Sequence, residues 1–455
     1  MLYSKLIIHT CKRLLSHWTI AVFSFIPIKF NILKSNSLFL PKLQIVLQSG
    51  LITLLIIVLL VDIYLYRAFK KFIKSKLILI GCLLTTLFVL AFMVYNFYFF
   101  DRRVGQTPIF MWSVGFFILN FLPRLFFFVF FALEDLVRIF GWTKNRALKK
   151  PKDNGKYIPE RRKFIFQIAM AVTAIPFFGI IHGMTIGKFN YKLIRHKLQL
   201  KYLPKSFNGF KILHITDIHS GSLDNQEKIE GAIKLINQQE FDILLFTGDI
   251  VNNFHWEMDN WISVFQKIKK APYGNFAILG NHDYGEYSDW DSEEAKQENF
   301  EKIKEIWPKL GFELLLNENR IIEKNGEKIA LIGVENWGAN FIQRGDLSLA
   351  SQEIPKEMFK ILMSHDPSHW ELEVKNHPNR YDLTLSGHTH GTQFGIEVPS
   401  LGIKWSPAQY VYKQWAGFYE HKGRVINVNR GFGYHFFPGR VGIWPEITCI
   451  ELTSK

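Results

Sequence analysis

The chain has 455 residues, 48% of them hydrophobic and 15% aromatic, with a formal net charge of +15 and three cysteines. This composition excludes a disordered polymer, and Cys11, Cys82 and Cys449 show no motif spacing, which excludes a disulfide framework or cysteine-bound zinc. The charge is also no nucleic-acid signature. Residues 1–186 hold 24 Lys and Arg against 6 Asp and Glu, while the remaining 269 hold 31 against 34, so the larger part lacks the basic footprint of a DNA or RNA binder.

Taken in chain order, residues 1–44 form an N-terminal extension. Its apolar patch at 18–33 is short and interrupted by Pro27 and Lys29, which suits a membrane segment, an interfacial helix or an unstructured extension. Four stretches then have the roughly 20 apolar residues needed to cross a bilayer: 45–66, 77–100, 109–131 and 164–186. The third carries Pro123 and Arg124 and is expected to kink there, or to end and continue as an interfacial helix. Residues 45–186 thus read as a transmembrane region of about four helices.

Basic residues set the orientation. Arg67, Lys70, Lys71, Lys74 and Lys76 lie between the first two spans, and ten Lys and Arg from Arg138 to Lys163 lie between the last two. The positive-inside rule makes both loops cytoplasmic. A multi-pass protein of the cytoplasmic (inner) membrane is expected, with residues 187–455 outside the cytoplasm. Arg161-Arg162-Lys163-Phe164-Ile165 resembles a twin-arginine export signal.

The linker at 188–210 alternates apolar and polar residues, predicting an edge strand. After it come short apolar runs at 211–216, 243–247, 276–279, 359–363 and 383–385, each reading as a strand buried on both faces. A polar motif follows each run: Asp217-Ile218-His219, Gly248-Asp249, Gly280-Asn281-His282-Asp283, His365, and Gly387-His388-Thr389-His390. Loops beyond the carboxyl ends of strands are where α/β sheets gather ligands, so the five can converge. The intervening segment 284–308 reads as an exposed helix, whose Trp290 and Trp307 suit packing better than contact with substrate or membrane.

The residue types suit a pair of divalent ions, which needs a bridging carboxylate and terminal ligands that leave an open position. Asp249 is the choice for the bridge. Asp217, His219 and one histidine of the 387–390 loop would hold one ion; Asn281, His365 and the loop's other histidine would hold the second. Mixed imidazole, carboxylate and amide ligation suits Mn, Fe, Zn or Co and argues against calcium. His282 is left over to protonate a leaving oxygen or stabilise transition-state charge, with Asp283 placed to fix its tautomer.

This ordered array resembles the calcineurin-like metallophosphoesterase family, whose pattern is Asp-x-His, Gly-Asp, Gly-Asn-His-Asp/Glu, His and Gly-His-x-His. The resemblance covers roughly residues 195–455. It implies that Asp217, His219, Asp249 and His390 bind one metal, that Asp249, Asn281, His365 and His388 bind the other, and that His282 lies near the leaving group. It further implies a four-layer α/β/β/α sandwich, here preceded by an α-helical transmembrane bundle, and attack on phosphorus by a metal-activated hydroxide.

The closing stretch, Asn429-Arg430-Gly431-Phe432-Gly433 and then Gly439-Arg440 through Pro445-Glu446-Ile447, is similar to the end of the membrane-associated bacterial phosphodiesterase branch. Thr392 departs from that branch, which often has glycine there. Arg430 and Arg440 are candidates for a phosphate contact, although exposed arginines are usually solvated, and neither is assigned to the site.

The function expected is a membrane-anchored phosphodiesterase or pyrophosphatase acting on an envelope lipid or nucleotide-linked substrate. One alternative is a UDP-2,3-diacylglucosamine pyrophosphatase-like enzyme of lipid A synthesis. Another is a non-catalytic membrane sensor or scaffold that only binds a ligand.

Overall fold

The computed structural model describes residues 39–147 and 159–454. The patch at 18–33, the basic residues at 149–156 and the side chain of Arg161 lie outside the described residues. By packing, the chain divides into two units: one contains Asp101–Thr107 and Ile186–Lys455, the other Leu33–Phe100 and Pro108–Thr185.

Four long helices form the second unit: α1 (Phe39–Phe69), α2 (Lys76–Tyr98), α3 (Pro108–Ala147) and α4 (Pro159–Thr185). Each is long and apolar enough to cross a membrane. Many of their large apolar side chains face outward, Leu77, Phe88, Phe140 and Ile175 among them, as lipid-facing surfaces require. Inside, Phe72 stacks on Phe166 at 4.8 Å, and Phe131 packs with Val61, Leu65 and Ala68.

The third helix does not end at Pro123; it is continuous over its 40 residues, Pro108–Ala147. Arg124 is accommodated because its guanidinium donates to Asn120 Oδ1 (2.6 Å) and the Cys82 carbonyl (3.1 Å) and lies 3.5 Å from Asp62. A charge inside a membrane segment persists when it is paired in this way. Arg162, from the export-like sequence, sits within α4 and is buried beside Glu134 at 3.5 Å.

The other unit is built from two six-stranded sheets. In the first, β1 (Lys192–Leu200) pairs in parallel with β14 (Glu446–Ser454), which runs antiparallel to β2 (Lys211–Ile215). The parallel strands β3 (Ile243–Phe246), β4 (Asn275–Ala277) and β5 (Glu313–Leu314) follow. The second sheet has the order β12 (Gly417–His421), β13 (Arg424–Val428), β9 (Leu383–Ser386), β8 (Lys360–Met363), β7 (Glu327–Gly333) and β6 (Glu318–Lys324). A separate hairpin, β10 (Ile396–Val398) with β11 (Ile403–Trp405), interrupts this sequence.

Period-two alternation explains the layers. On β2 and β3, Ile212, Ile243 and Leu245 point to the inter-sheet core, where they meet Leu331, Ile361, Leu383 and Leu385. Their neighbours Leu213, Leu244 and Phe246 face the outer helices. One of these is α5 (Gln226–Asn237), capped by Asn225 and burying Ile229, Ala232, Ile233 and Ile236 at helical spacing. Another is α6 (Glu293–Lys309), capped by Ser292, whose Trp307 packs on Phe246 at 4.7 Å. A third cluster covers the far face of the second sheet, completing a four-layer α/β/β/α sandwich. The edge strand expected in the linker is β1.

Candidate metal centre

The five runs are the strands β2, β3, β4, β8 and β9, and their carboxyl ends meet. Three come from one sheet and two from the other, so the polar loops gather where the sheets join. The backbone there is unusual: Asp217, His219, Asp249, His388 and His390 all have φ between 49° and 71°. L-residues rarely occupy this left-handed region, and such strain concentrates where function fixes the chain. Small neighbours permit it. A Cβ on Gly248 would lie 2.3 Å from the Gly280 nitrogen, and one on Gly387 would lie 2.2 Å from Asp217 Oδ2.

Two ligand nests result. In one, His390 Nε2 lies 3.2 Å from Asp217 Oδ1 and 2.9 Å from His219 Nε2. In the other, His388 Nδ1 lies 2.8 Å from Asn281 Oδ1 and 3.3 Å from His365 Nε2. Asp249 Oδ2 belongs to both, at 3.6 Å from His219 Nε2 and 3.1 Å from His365 Nε2. Its other oxygen accepts from the His282 backbone N–H at 2.9 Å, which fixes the carboxylate.

The donor set tests well against a pair of divalent ions. Like ring nitrogens and carboxylate oxygens converge within bonding reach of common points, an arrangement that would be repulsive without a cation or protons between them. Without an ion, protons on the imidazoles would have to play that part. Burial alone would raise Asp217 and Asp249 and lower His365, but the ion pairs win: both carboxyls are held well below their usual range, and His365 is raised to about 10 beside Asp249.

A family model described as "Calcineurin-like phosphoesterase" matches residues 210–392, and one described as "Probable Calcineurin-like phosphoesterase, transmembrane domain" matches 43–188. The metallophosphoesterase YkuE of Bacillus subtilis is 30% identical, covering 57% of this chain and 84% of the relative. This chain belongs to the calcineurin-like metallophosphoesterase family. The phosphodiesterase YaeI of Escherichia coli is 29% identical over 64% of this chain and 98% of its own. A Danio rerio transmembrane protein with metallophosphoesterase domain is 24% identical over 72% and 70%. The protein is accordingly a membrane-linked, metal-dependent phosphoester hydrolase.

Around the metallophosphoesterase ligands, backbone and side-chain acceptors fix each tautomer. His365 Nδ1 donates to the Thr247 carbonyl at 2.6 Å, leaving the Nε2 lone pair for a metal. His219 Nδ1 donates to Asn252 Oδ1 at 3.1 Å with the same effect. On His388 the nitrogens are reversed: Nδ1 faces Asn281 Oδ1 in the second nest, while Nε2 meets the Tyr412 hydroxyl at 2.8 Å and lies 3.5 Å from Asp366 Oδ2.

His282 is oriented differently from expectation. Its Nδ1 donates to the Asn252 carbonyl at 2.8 Å, not to Asp283. The Asp283 carboxylate instead accepts from the backbone N–H groups of Asp249, Ile250 and Gly280, each at 2.9 Å. It therefore holds the Gly-Asp loop against the Gly-Asn-His loop, three N–H donors outcompeting one imidazole. Asp283 is a positioning residue in this geometry.

His435 and Gln106 carried no sequence signal. His435 stacks on His219 at 4.6 Å and meets His282 at 4.5 Å. Its Nδ1 donates to Asn252 Oδ1 at 3.1 Å, and Gln106 Nε2 donates to its Nε2 at 3.1 Å. Arg440 is wholly buried, contacts His390 Nδ1 at 3.1 Å and donates to the Gly431 and Gly433 carbonyls, so it braces the closing turn. Arg430 pairs with Glu397 at 2.6 Å and with Glu446. Neither arginine is a solvated surface group. Trp290 and Trp307 both pack internally, Trp290 donating to the Gly285 carbonyl at 2.8 Å.

Proposed function

We propose that the protein hydrolyses a phosphodiester or pyrophosphate on an envelope lipid or nucleotide-linked precursor, at the outer face of the cytoplasmic membrane. The observation that carries this reading is Asp249 Oδ2 facing both ligand nests. Asp217, His219, Asp249 and His390 would hold one ion, and Asp249, Asn281, His365 and His388 the other. When bound, such ions polarise a phosphoryl oxygen and lower the pKa of water. Mn, Fe, Zn and Co suit these mixed nitrogen and oxygen donors.

The chain's own groups do the rest. Because the His282 Nδ1–H is engaged by the Asn252 carbonyl, Nε2 carries a lone pair in the neutral ring. His282 therefore accepts a hydrogen bond as the neutral base and donates to a leaving oxygen only as the imidazolium. Tyr287, whose ring lies 4.5 Å from His282, closes one side and accepts from Asn281 Nδ2 at 2.8 Å.

The charge asymmetry of the loops supports the outward orientation. Asp101–Thr107, which joins α2 to α3, packs with the catalytic unit, and in a four-span chain that connection and the segment after α4 emerge on the same side. The UDP-2,3-diacylglucosamine pyrophosphatase-like alternative requires a cytoplasmic site. Labelling Lys228→Cys in intact cells, with the native cysteines replaced, separates the two: reaction with an impermeant maleimide supports the outward reading, and protection revives the alternative. Lipid and nucleotide profiling of cells expressing Asp249→Asn would then show which phosphoester accumulates.

A further inference from the structure

The hairpin β10–β11 has its faces reversed relative to a water-facing hairpin. Its register pairs Ile396 with Trp405 and Val398 with Ile403, so these four share one face, and Glu397 with Lys404 occupy the other. The polar face makes the hairpin's polar contacts with the rest of the domain, with Lys404 itself exposed. Glu397 holds Arg430 at 2.6 Å, while the Lys404 ammonium donates to the Ala416 carbonyl and sits 4.8 Å from the Trp415 ring. The apolar face turns outward: Ile396 is 54% exposed, Ile403 44% and Trp405 40%. Leu401, in the hairpin's turn, is 71% exposed, and Tyr410 and Val411 just beyond are 50% and 66%.

What lies near this face follows from the chain. The root of the hairpin is fixed by Gly395 N–H donating to the Val441 carbonyl at 2.9 Å and by Phe394 packing on Phe437 at 4.6 Å. The neighbouring Phe436 N–H donates to Gln106 Oε1 at 3.0 Å. Gln106 stands two residues before Pro108, where a membrane span begins. At the other connection, residues 186–191 are all that separate α4 from β1, a reach of at most about 20 Å. A bilayer is thus an apolar surface that the covalent chain brings close to the residues at the root of this hairpin.

We propose that this face is a membrane-docking element, seating Ile396, Leu401, Ile403, Trp405 and Val411 in the lipid interface. Exposed aliphatics flanked by Trp and Tyr match the chemistry of that boundary. The element adjoins the metal centre, because Tyr412, the next residue after Val411, bonds His388 Nε2. A phosphoester carried on a lipid headgroup would be presented at the site by the surface on which the enzyme rests. The inference rests on the spans and the hairpin alone, so hydrolysis of a soluble diester stands or falls separately.

The test uses full-length protein with Cys11, Cys82 and Cys449 replaced by Ser, in nanodiscs of phosphatidylethanolamine and phosphatidylglycerol. Nitroxide labels are placed at Leu401→Cys and Val411→Cys, with Lys422→Cys in the exposed turn between β12 and β13 as the aqueous reference. Docking gives oxygen an excess over a water-soluble nickel chelate in relaxing the first two labels, with the order reversed at the third. Nickel dominating at both hairpin positions, as at the reference, overturns the proposal. So does exclusion of both reagents, which would place another protein surface there. Both labelled positions are exposed, so neither label disturbs the core.

Discussion

Asn252 fixes the hydrogen positions of three of the site's histidines. Its side-chain oxygen accepts from His219 and His435, and its carbonyl accepts from His282. Removing the amide in Asn252→Ala frees the His219 ring, and outer-shell losses of this kind weaken metal affinity roughly 10- to 100-fold. Competition with a fluorescent chelator measures it, and an unchanged affinity would contradict the assigned tautomer.

The metal-free protein also has a defined pH response. His365 is raised to about 10 by Asp249, so its contribution is fully present below its ordinary value near 6.5 and is lost as pH rises toward 10. The depressed pKa of Asp249 contributes stability above the ordinary carboxyl value near 4, which is lost only as pH falls well below it. Thermal unfolding in EDTA should therefore show stability declining between about pH 6.5 and 10, and His365→Asn should lack that component. The same slope in both proteins would count against the pair.

At this scale the convergence of the motif residues was legible, because motif types at strand ends follow from chemistry. Asn252, His435 and Tyr412 were not, since they lie in irregular loops without periodicity and act through contacts distant in sequence. Asp283 was misread because adjacency to His282 in the chain says nothing of which donor its carboxylate finds.

Among the elements, the buried parallel strands were readable from their short aliphatic runs, and β1 from its alternation. The third span is continuous where a break was one of the two expected outcomes. Pro123 and Arg124 look like terminators locally, but Asn120, Asp62 and the Cys82 carbonyl supply the missing polar partners, and that compensation belongs to tertiary structure. Thr392 has an equally local cause: φ of 51° is the left-handed conformation that glycine adopts without strain.

Close approach between loops gives the sharper element-level prediction. Gly248 has φ of 97°, and a Cβ there would meet the Gly280 backbone. Gly248→Ala should push the β3 and β4 loops apart and lower stability by about 2–4 kcal/mol, through strain and steric overlap together. Urea unfolding of the full-length protein in detergent reads this, and a loss below about 0.5 kcal/mol, the range of neutral surface changes, would show that the loops are not so tightly apposed.

For the whole molecule, the segregation of charge is the main organising fact. The net basic excess lies in residues 1–186, whereas residues 187–455 hold slightly more acidic than basic groups. Among the described residues, four helices long and apolar enough to cross a membrane precede the metallophosphoesterase domain, and residues 186–191 join the last of them to β1. That confinement raises the effective concentration of any membrane-borne phosphoester.

The central claim is that Asp249 joins two metal ions in one hydrolytic site. Turnover of bis-p-nitrophenyl phosphate by the full-length protein with Mn, compared with Asp249→Ala, tests it most directly. Hydrolysis by the parent and a loss exceeding roughly a hundredfold in the variant are expected, since even outer-shell changes cost up to that much. Equal turnover in the two proteins would contradict the account.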